Sequence, residues 1–133
     1  MSFEACRLSF DTQTFTNRYT YTMEKEFNWA DELDCAVTIC DAEGKILYMN
    51  NKSRETFARH GDIIGHSLFD YHPAHAIEKI RHMLATGESN SYTISKLGKK
   101  KIIHQTPWRR DGKISGLVEF SIVIPEEMPH YVR

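Results

Sequence analysis

The sequence predicts an α+β domain built on a five-stranded antiparallel sheet with short helices packed on one face. Three observations lead there. The chain has 133 residues and a mass of 15.5 kDa, which is one domain's worth of polypeptide. It is 41% hydrophobic and 11% aromatic, enough for a core without disulfide or metal and too apolar for a disordered chain. Short strand-like runs fall into two groups, two before a helical stretch and three after it.

The elements follow in order. Asn28–Leu33 reads as a short helix in which Phe27, Trp29 and Leu33 form one apolar patch. Cys35–Cys40 is a strand with Val37 and Ile39 alternating, and Asp41-Ala42-Glu43-Gly44 turns it into the strand Ile46–Met49. Asn50 or Asn51 caps a helix over Lys52–Arg59, stopped near Gly61. Ile63-Ile64-Gly65 and Ser67–Asp70 read as turns or single helical turns. Pro73 suits the first turn of a longer helix that runs to Leu84 or Ala85 and is closed by Gly87. The strands Ser91–Lys96, Lys101–Trp108 and Gly116–Ile124 complete the sheet, joined at Leu97-Gly98-Lys99 and Arg110–Lys113.

Net charge is −1, yet residues 96–113 carry seven cations against Asp111 alone, a balance of +6 that leaves −7 for the rest. Such a basic stripe can bind phosphates, but lysines also protect sheet edges, and the mixed charge of the chain argues against nucleic acid as a partner. Cys6, Cys35 and Cys40 are an odd number without metal-ligand spacing, which points to a reducing, cytoplasmic compartment. No apolar run approaches the ~18 residues of a membrane helix. Residues 1–22 are rich in Thr and aromatic residues and read as an arm that either is dispensable, with Met23 an alternative start, or adds a strand or clasps a partner.

The segment Ala36–Asn50, then Phe57, then Asp62–Asp70, Leu84–Glu88 and finally Trp108, Asp111–Lys113 and Gly116–Val118 resemble, in order and spacing, the PAS-domain family of sensor modules. The resemblance runs from about Trp29 to Ile124. It implies residues 1–22 as an arm, 23–34 as an N-terminal cap, 35–124 as a PAS-like domain and 125–133 as a tail. It also implies a ligand held between the long helix and the inner face of the sheet.

Alternation assigns the side chains that line such a cavity. Val118, Phe120, Ile122 and Ile124 form the more apolar face of the last strand, and Tyr92 and Ile94 take the inward positions in the first of the final three. In the middle strand, Ile102, His104, Thr106 and Trp108 inward would bury two polar groups that need partners from a ligand, from each other or from water; a bulge at Pro107 would shift the phase. With Phe69, His72, Ala76, Ile80 and Met83 from the helical side, the candidate cavity comprises Phe69, His72, Ala76, Ile80, Met83, Tyr92, Ile94, His104, Thr106, Trp108, Val118 and Phe120. The opposite face then leaves Ile103, Leu117 and Val123 as an apolar interface, coverable by Phe27, Trp29 and Leu33.

Five histidines, His60, His66, His72, His75 and His82, invite comparison with PAS relatives that bind haem through a helix histidine. At ~100° per residue Ala76, Ile77, Ile80, Met83 and Leu84 share one arc, and His75 and His82 face away from it. That leaves His72, ahead of Pro73, as the first haem candidate and His75 as the second. Zinc lacks its ligand spacing, and the flavin-photosensor branch lacks its cysteine in the helical segment. No nucleophile turn or Gly-rich phosphate loop supports an enzyme; Asp70 near His72 reads as a helix-start carboxylate. The expected function is a ligand-sensing or docking module whose ligand is largely apolar with one or two polar groups. With nine residues after Ile124, its signal is expected to leave through a surface, to a second copy or a separate signalling protein.

Overall fold

The computed structural model describes residues 27–133. The expectations for residues 1–22 and the first residues of the cap, Cys6 included, lie outside the described residues. Two strands, β1 (Ala36–Asp41) and β2 (Ile46–Met49), are followed by helix α1 (Asn51–Thr56) and two single 3-10 turns at Ala58–His60 and Leu68–Tyr71. Helix α2 (Ala74–Thr86) then leads into β3 (Asn90–Lys96), β4 (Lys99–Arg110) and β5 (Lys113–Val123). All neighbours in the sheet are antiparallel, in the order β2-β1-β5-β4-β3. This is the expected α+β sheet, with the first hairpin inserted beside the last strand.

Local chemistry accounts for most of these boundaries. The Asp41 carboxylate accepts the backbone N–H of Glu43 and of Lys45, both at 2.9 Å, and so shapes the first turn. Asn50 caps α1, its Oδ1 accepting the Ser53 N–H at 3.0 Å. Gly87 closes α2 in the left-handed conformation at φ +84°. The hairpin turns at Leu97-Gly98 and Asp111-Gly112 put both central residues at positive φ, as two-residue hairpin turns demand. Asp111 suits that conformation; Leu97, 92% exposed, does not, and only the hairpin's register holds it there.

One expected element is absent. Residues 28–33 form successive turns, with Asp31 N–H donating to Asn28 C=O and Leu33 N–H to Ala30 C=O, both at 3.3 Å. What holds this segment is tertiary. The buried Asn50 amide donates to the carbonyls of Ala30 and Cys35, both at 2.8 Å, and the Tyr48 hydroxyl donates to Asp31. Burial, and then the Asp31 hydrogen bond, push the Tyr48 pKa up to about 12.

The core lies between α2 and one end of the sheet. Ile80 and Met83 of α2 meet Cys40, Ile46, Met49 and Leu117 of the sheet, with Ile63 and Leu68 from the connecting segment. Two bonds tie that segment to the first hairpin: Leu68 N–H to Gly44 C=O at 2.7 Å and Ile46 N–H to His66 C=O at 2.9 Å. Burial raises the Cys40 thiol from 9.0 to about 11. A group whose pKa is higher folded than unfolded stabilises fully below its unfolded value and loses that contribution as pH climbs through its folded one. The urea midpoint should therefore fall between pH 9 and pH 11, by about 2–3 kcal/mol in free energy, and Cys40→Val should flatten that step. An equally steep fall in Cys40→Val would assign it to other groups.

Candidate functional site

The register of the sheet, followed row by row, defines the surface that the helices face. Cys40 pairs with Leu117, which pairs with Pro107; this row lies under α2 and belongs to the core. The next row runs Thr38–Glu119–Gln105–Asn90 across β1, β5, β4 and β3. The row after that runs Ala36–Ser121–Ile103–Tyr92. Alternation along each strand puts these rows on one face.

The second row is polar across all four strands and carries two hydrogen-bonded groups. Asn90 Nδ2 donates to Gln105 Oε1 at 3.0 Å, and Gln105 Nε2 donates to Glu119 Oε2 at 2.7 Å. On the far side, the Thr38 hydroxyl and the Ser53 hydroxyl of α1 share a hydrogen bond of 2.5 Å. Gln105 is only 6% exposed and Ser53 1%. Buried amides and hydroxyls are tolerated because they are paired, and here the pairing spreads over four strands and a helix.

Above this row is a cleft. Its inner end, between Ile80, Leu68, Phe57 and His72 on the helical side and Thr38, Cys40, Gln105, Leu117 and Glu119 on the sheet, encloses about 20 Å³, room for one water. It opens into a space of about 170 Å³ over the third row, walled by Ser53, Thr56, Phe57 and His72 and floored by Tyr92, Ile94, Ile103, Glu119 and Ser121. Lys96 and Lys101 stand at its mouth. Burial, and then the Glu119 carboxylate, raise the pKa of the Tyr92 hydroxyl, so Tyr92 enters the cleft as a neutral donor.

Of the residues expected to line a cavity, His72, Ile80, Tyr92 and Ile94 do so. Met83 is buried in the core beside it, and Ala76 is half-buried on the same helix. Phe69 turns away: a Cβ on Gly44 would touch its ring at 2.7 Å, and the Arg81 guanidinium lies 4.5 Å above that ring. The expected phase of β4 and β5 is inverted. His104, Thr106, Trp108, Val118 and Phe120 lie on the outer face, and Ile103, Leu117 and Val123, expected there, face the helices. His104 and Thr106 find partners on that outer face, Ser91 at 2.6 Å and Ser89 at 2.8 Å.

The physical reason is the reach of the helical layer. One 13-residue helix and a few turns cover the Leu117 row, while the rest of that face lines an open cleft and carries polar side chains. The more apolar alternation of β5 therefore marks the outer face. No bulge forms at Pro107; the irregularity falls between Trp108 and Arg109. Pro107 lies beyond the end of β3, where that edge of β4 has no partner strand to need its N–H. Sequence reasoning passed over Gln105, Glu119, Thr38, Ser53 and Asn90. The available signal was the pair of polar residues, Gln105 and Glu119, set in phase with Ile103 and Leu117.

The cleft does not fit haem. His75 and His82 are exposed, the latter paired with Glu88 at 3.0 Å. His72 is oriented by its Nδ1 on the Leu68 carbonyl at 2.9 Å, which leaves Nε2 free, so for His72 the decision falls to volume. Within the cleft, spaces of about 20 and 170 Å³ fall short of the ~300–1,000 Å³ that pockets for drug-sized ligands enclose, and haem is larger still; the hollow of about 580 Å³ that His60 and His72 line lies outside it. Among the described residues no three His, Cys, Asp or Glu side chains converge as a metal site. No helix among them is long and apolar enough to cross a membrane.

A five-stranded antiparallel sheet roofed on one face by short helices, with a small cleft between the layers, defines an α+β module of one sheet and one helical layer. The PAS fold family matches residues 30–127, and the chain belongs to that family. The chain is similar to the VqmA receptor of Vibrio cholerae, with a TM-score of 0.60 and 22% identity over 77% of this chain and 51% of that one. It is also similar to the PAS domain of the histidine kinase ThkA, with a TM-score of 0.56 and 18% identity over 68% of this chain and 99% of that one. The PAS domain of an HTR-like protein from Haloarcula marismortui gives a TM-score of 0.56 and 14% identity over 84% of this chain and 99% of that one. At such identities the likeness is one of fold. No curated protein sequence matches.

Proposed function

We propose that this chain is a non-enzymatic sensory module that binds a small molecule in the cleft over Glu119, Ser121, Ile103 and Tyr92 and signals through its outer sheet face. One observation carries the reading: the helix-facing side of the sheet is not sealed but leaves a cleft, with Thr38, Gln105 and Glu119 of the polar row at its inner end and Tyr92, Ile103 and Ser121 under its open part. A packing-only module gains nothing from a buried amide, which adds little net stability and costs ~1–3 kcal/mol wherever a partner is lost. VqmA, one of the proteins of similar fold, has been solved bound to DPO and in a complex with ligand and DNA. That supports a ligand in this fold, and its DNA belongs to a chain of which this one covers about half.

The outer face carries half-buried Ile39, Ile102, Val118 and Phe120 beside Ile122, 41% exposed, with Trp29, 65% exposed, in the segment before β1. This stripe suits a second copy of the chain in a cytoplasmic homodimer. It replaces the Ile103, Leu117 and Val123 surface expected from alternation. Ligand contacts on Gln105 and Glu119 reach it directly, because the same two strands carry His104, Thr106, Val118 and Phe120 on their other side.

Native mass spectrometry of the gently purified protein tests both parts. The expected spectrum is a dimer carrying added mass of a small molecule. Gln105→Leu should lose that mass and keep the dimer, while Phe120→Lys should give a monomer that keeps it. A bare mass in the unaltered protein would overturn the sensing role, and a monomeric unaltered protein the dimer.

A further inference from the structure

The cation excess of residues 96–113 has no part in the role above, and the fold divides it. Arg109, Arg110 and Lys113 stand at the β4–β5 hairpin, whereas Lys96, Lys99, Lys100 and Lys101 stand at the β3–β4 hairpin. The two groups occupy opposite ends of β4, ~30 Å apart at 3.3 Å per residue. There is thus no continuous basic face. In the second group Lys96 is in phase with Tyr92 and Ile94, and Lys101 with Ile103 and Gln105, so both turn to the helix-facing side and line the cleft.

Other nitrogen-bearing side chains gather at the same mouth. Arg59, His60 and His72 line the adjoining hollow together with Lys96, Phe57 and the hydroxyl-bearing Thr56 and Tyr71, with no acidic side chain among those lining residues. In the neighbouring hollow that Lys96, Lys99 and Lys101 also line, Lys52 pairs with Asp34 at 3.6 Å. Glu55 is the other acidic side chain, so lysines outnumber carboxylates there by four to two. Protection of a sheet edge explains Lys96 on the edge strand β3. It does not explain Lys101, because β4 lies inside the sheet between β5 and β3. Nor does it explain Lys96 and Lys99 as direct cross-strand partners, a like-charge pairing that costs stability.

The cleft is therefore polarised: a carboxylate, Glu119, at its inner end, and ammonium and imidazole groups at its mouth. Its open part holds about 170 Å³, on the order of ten non-hydrogen atoms of ligand. Resting on the reading of this cleft as the ligand site, we infer that its ligand is a small organic carboxylate with a hydrogen-bond donor at its other end. The carboxylate lies against Lys96, Lys101 and His72, and the donor reaches Glu119. Neutral molecules of the same shape gain nothing from the excess of lysines and bind less well.

Titration with 4-hydroxybenzoate and its neutral isostere 4-hydroxybenzamide, followed by backbone amide shifts in NMR, tests this. Shifts at Ser121, Gln105 and Tyr92 are expected for both probes, with the carboxylate bound about tenfold tighter in low salt and the advantage shrinking as salt is added. Lys96→Met with Lys101→Met should erase the preference while leaving amide binding in place, and Lys113→Met at the far hairpin should change neither. Equal affinity of the two probes for the cleft would overturn the carboxylate assignment and leave the cleft as a ligand site. Absence of any cleft shift with 4-hydroxybenzoate would overturn the assignment as well, with the native mass spectrum then deciding the sensing role separately.

Discussion

Asn50→Ala is expected to lower the free energy of unfolding by about 3–5 kcal/mol, a large part of the ~5–15 kcal/mol that holds a domain together. Asn50 is 1% exposed and uses all its amide capacity. Its Oδ1 accepts from the Val37 N–H at 2.9 Å and from the Ser53 N–H at 3.0 Å. Its Nδ2 donates to the carbonyls of Ala30 and Cys35. Alanine removes the cap of α1, worth ~1 kcal/mol, and leaves the other backbone groups unpaired at ~1–3 kcal/mol each where water cannot enter. The same change frees the segment before β1, which has little helical structure of its own to fall back on. Asn50→Asp is expected to fare almost as badly, because it keeps the acceptor and turns a charge toward two carbonyls. Urea unfolding measures both variants; a loss below about 1 kcal/mol for alanine would mean that the segment is held by other contacts.

Gly116→Ala is expected to cost about 3–4 kcal/mol and to free the Trp108 indole. The backbone at Gly116 has an ordinary φ, so the need is for space and not for conformation. A Cβ there would collide with the Cys40 carbonyl oxygen and with the Trp108 ring nitrogen. That oxygen is also the acceptor of the Trp108 Nε1–H at 3.0 Å, a bond that crosses β5 from β4 to β1. Adding one methyl group therefore pushes β1 from β5 where Asp41 pairs with Gly116, at the upper end of the ~1–3 kcal/mol of overpacking. It also loses a hydrogen bond worth ~1 kcal/mol. In a Trp29→Phe background, which removes the exposed indole, the remaining tryptophan should shift its emission to the red and the urea midpoint should fall. An unchanged emission maximum would show that the indole does not depend on the gap at Gly116.

The two variants separate what was legible in the sequence from what was not. The Asn50 cap, the Gly87 stop, the Asp111-Gly112 turn and the apolar arc of α2 all follow from local backbone chemistry or from helical period. Each needs only its own neighbours, so each could be read along the chain. The gap at Gly116 could not, because the atoms that fill it come from Cys40 and Trp108, far away in sequence. The same holds for the polar row: Thr38, Gln105, Glu119 and Asn90 become neighbours only once the register of four strands is set. The PAS-like order of elements was legible because it is a matter of sequence order.

By itself the sequence determined the number and order of the strands, the caps and turns that join them, and the antiparallel sheet they imply, whereas pairing carried β4 and β5 two or three residues further into their shared hairpin than expected. Tertiary structure alone decided which side of that sheet meets the helices, and so moved the candidate site from His104, Thr106 and Phe120 to Gln105, Glu119 and Tyr92. A strand of period two offers two faces with equal regularity, and its composition does not name the one that will be covered. Here the helical layer was too short to seal its own side, so the polar face turned inward over a cleft and the apolar face turned out.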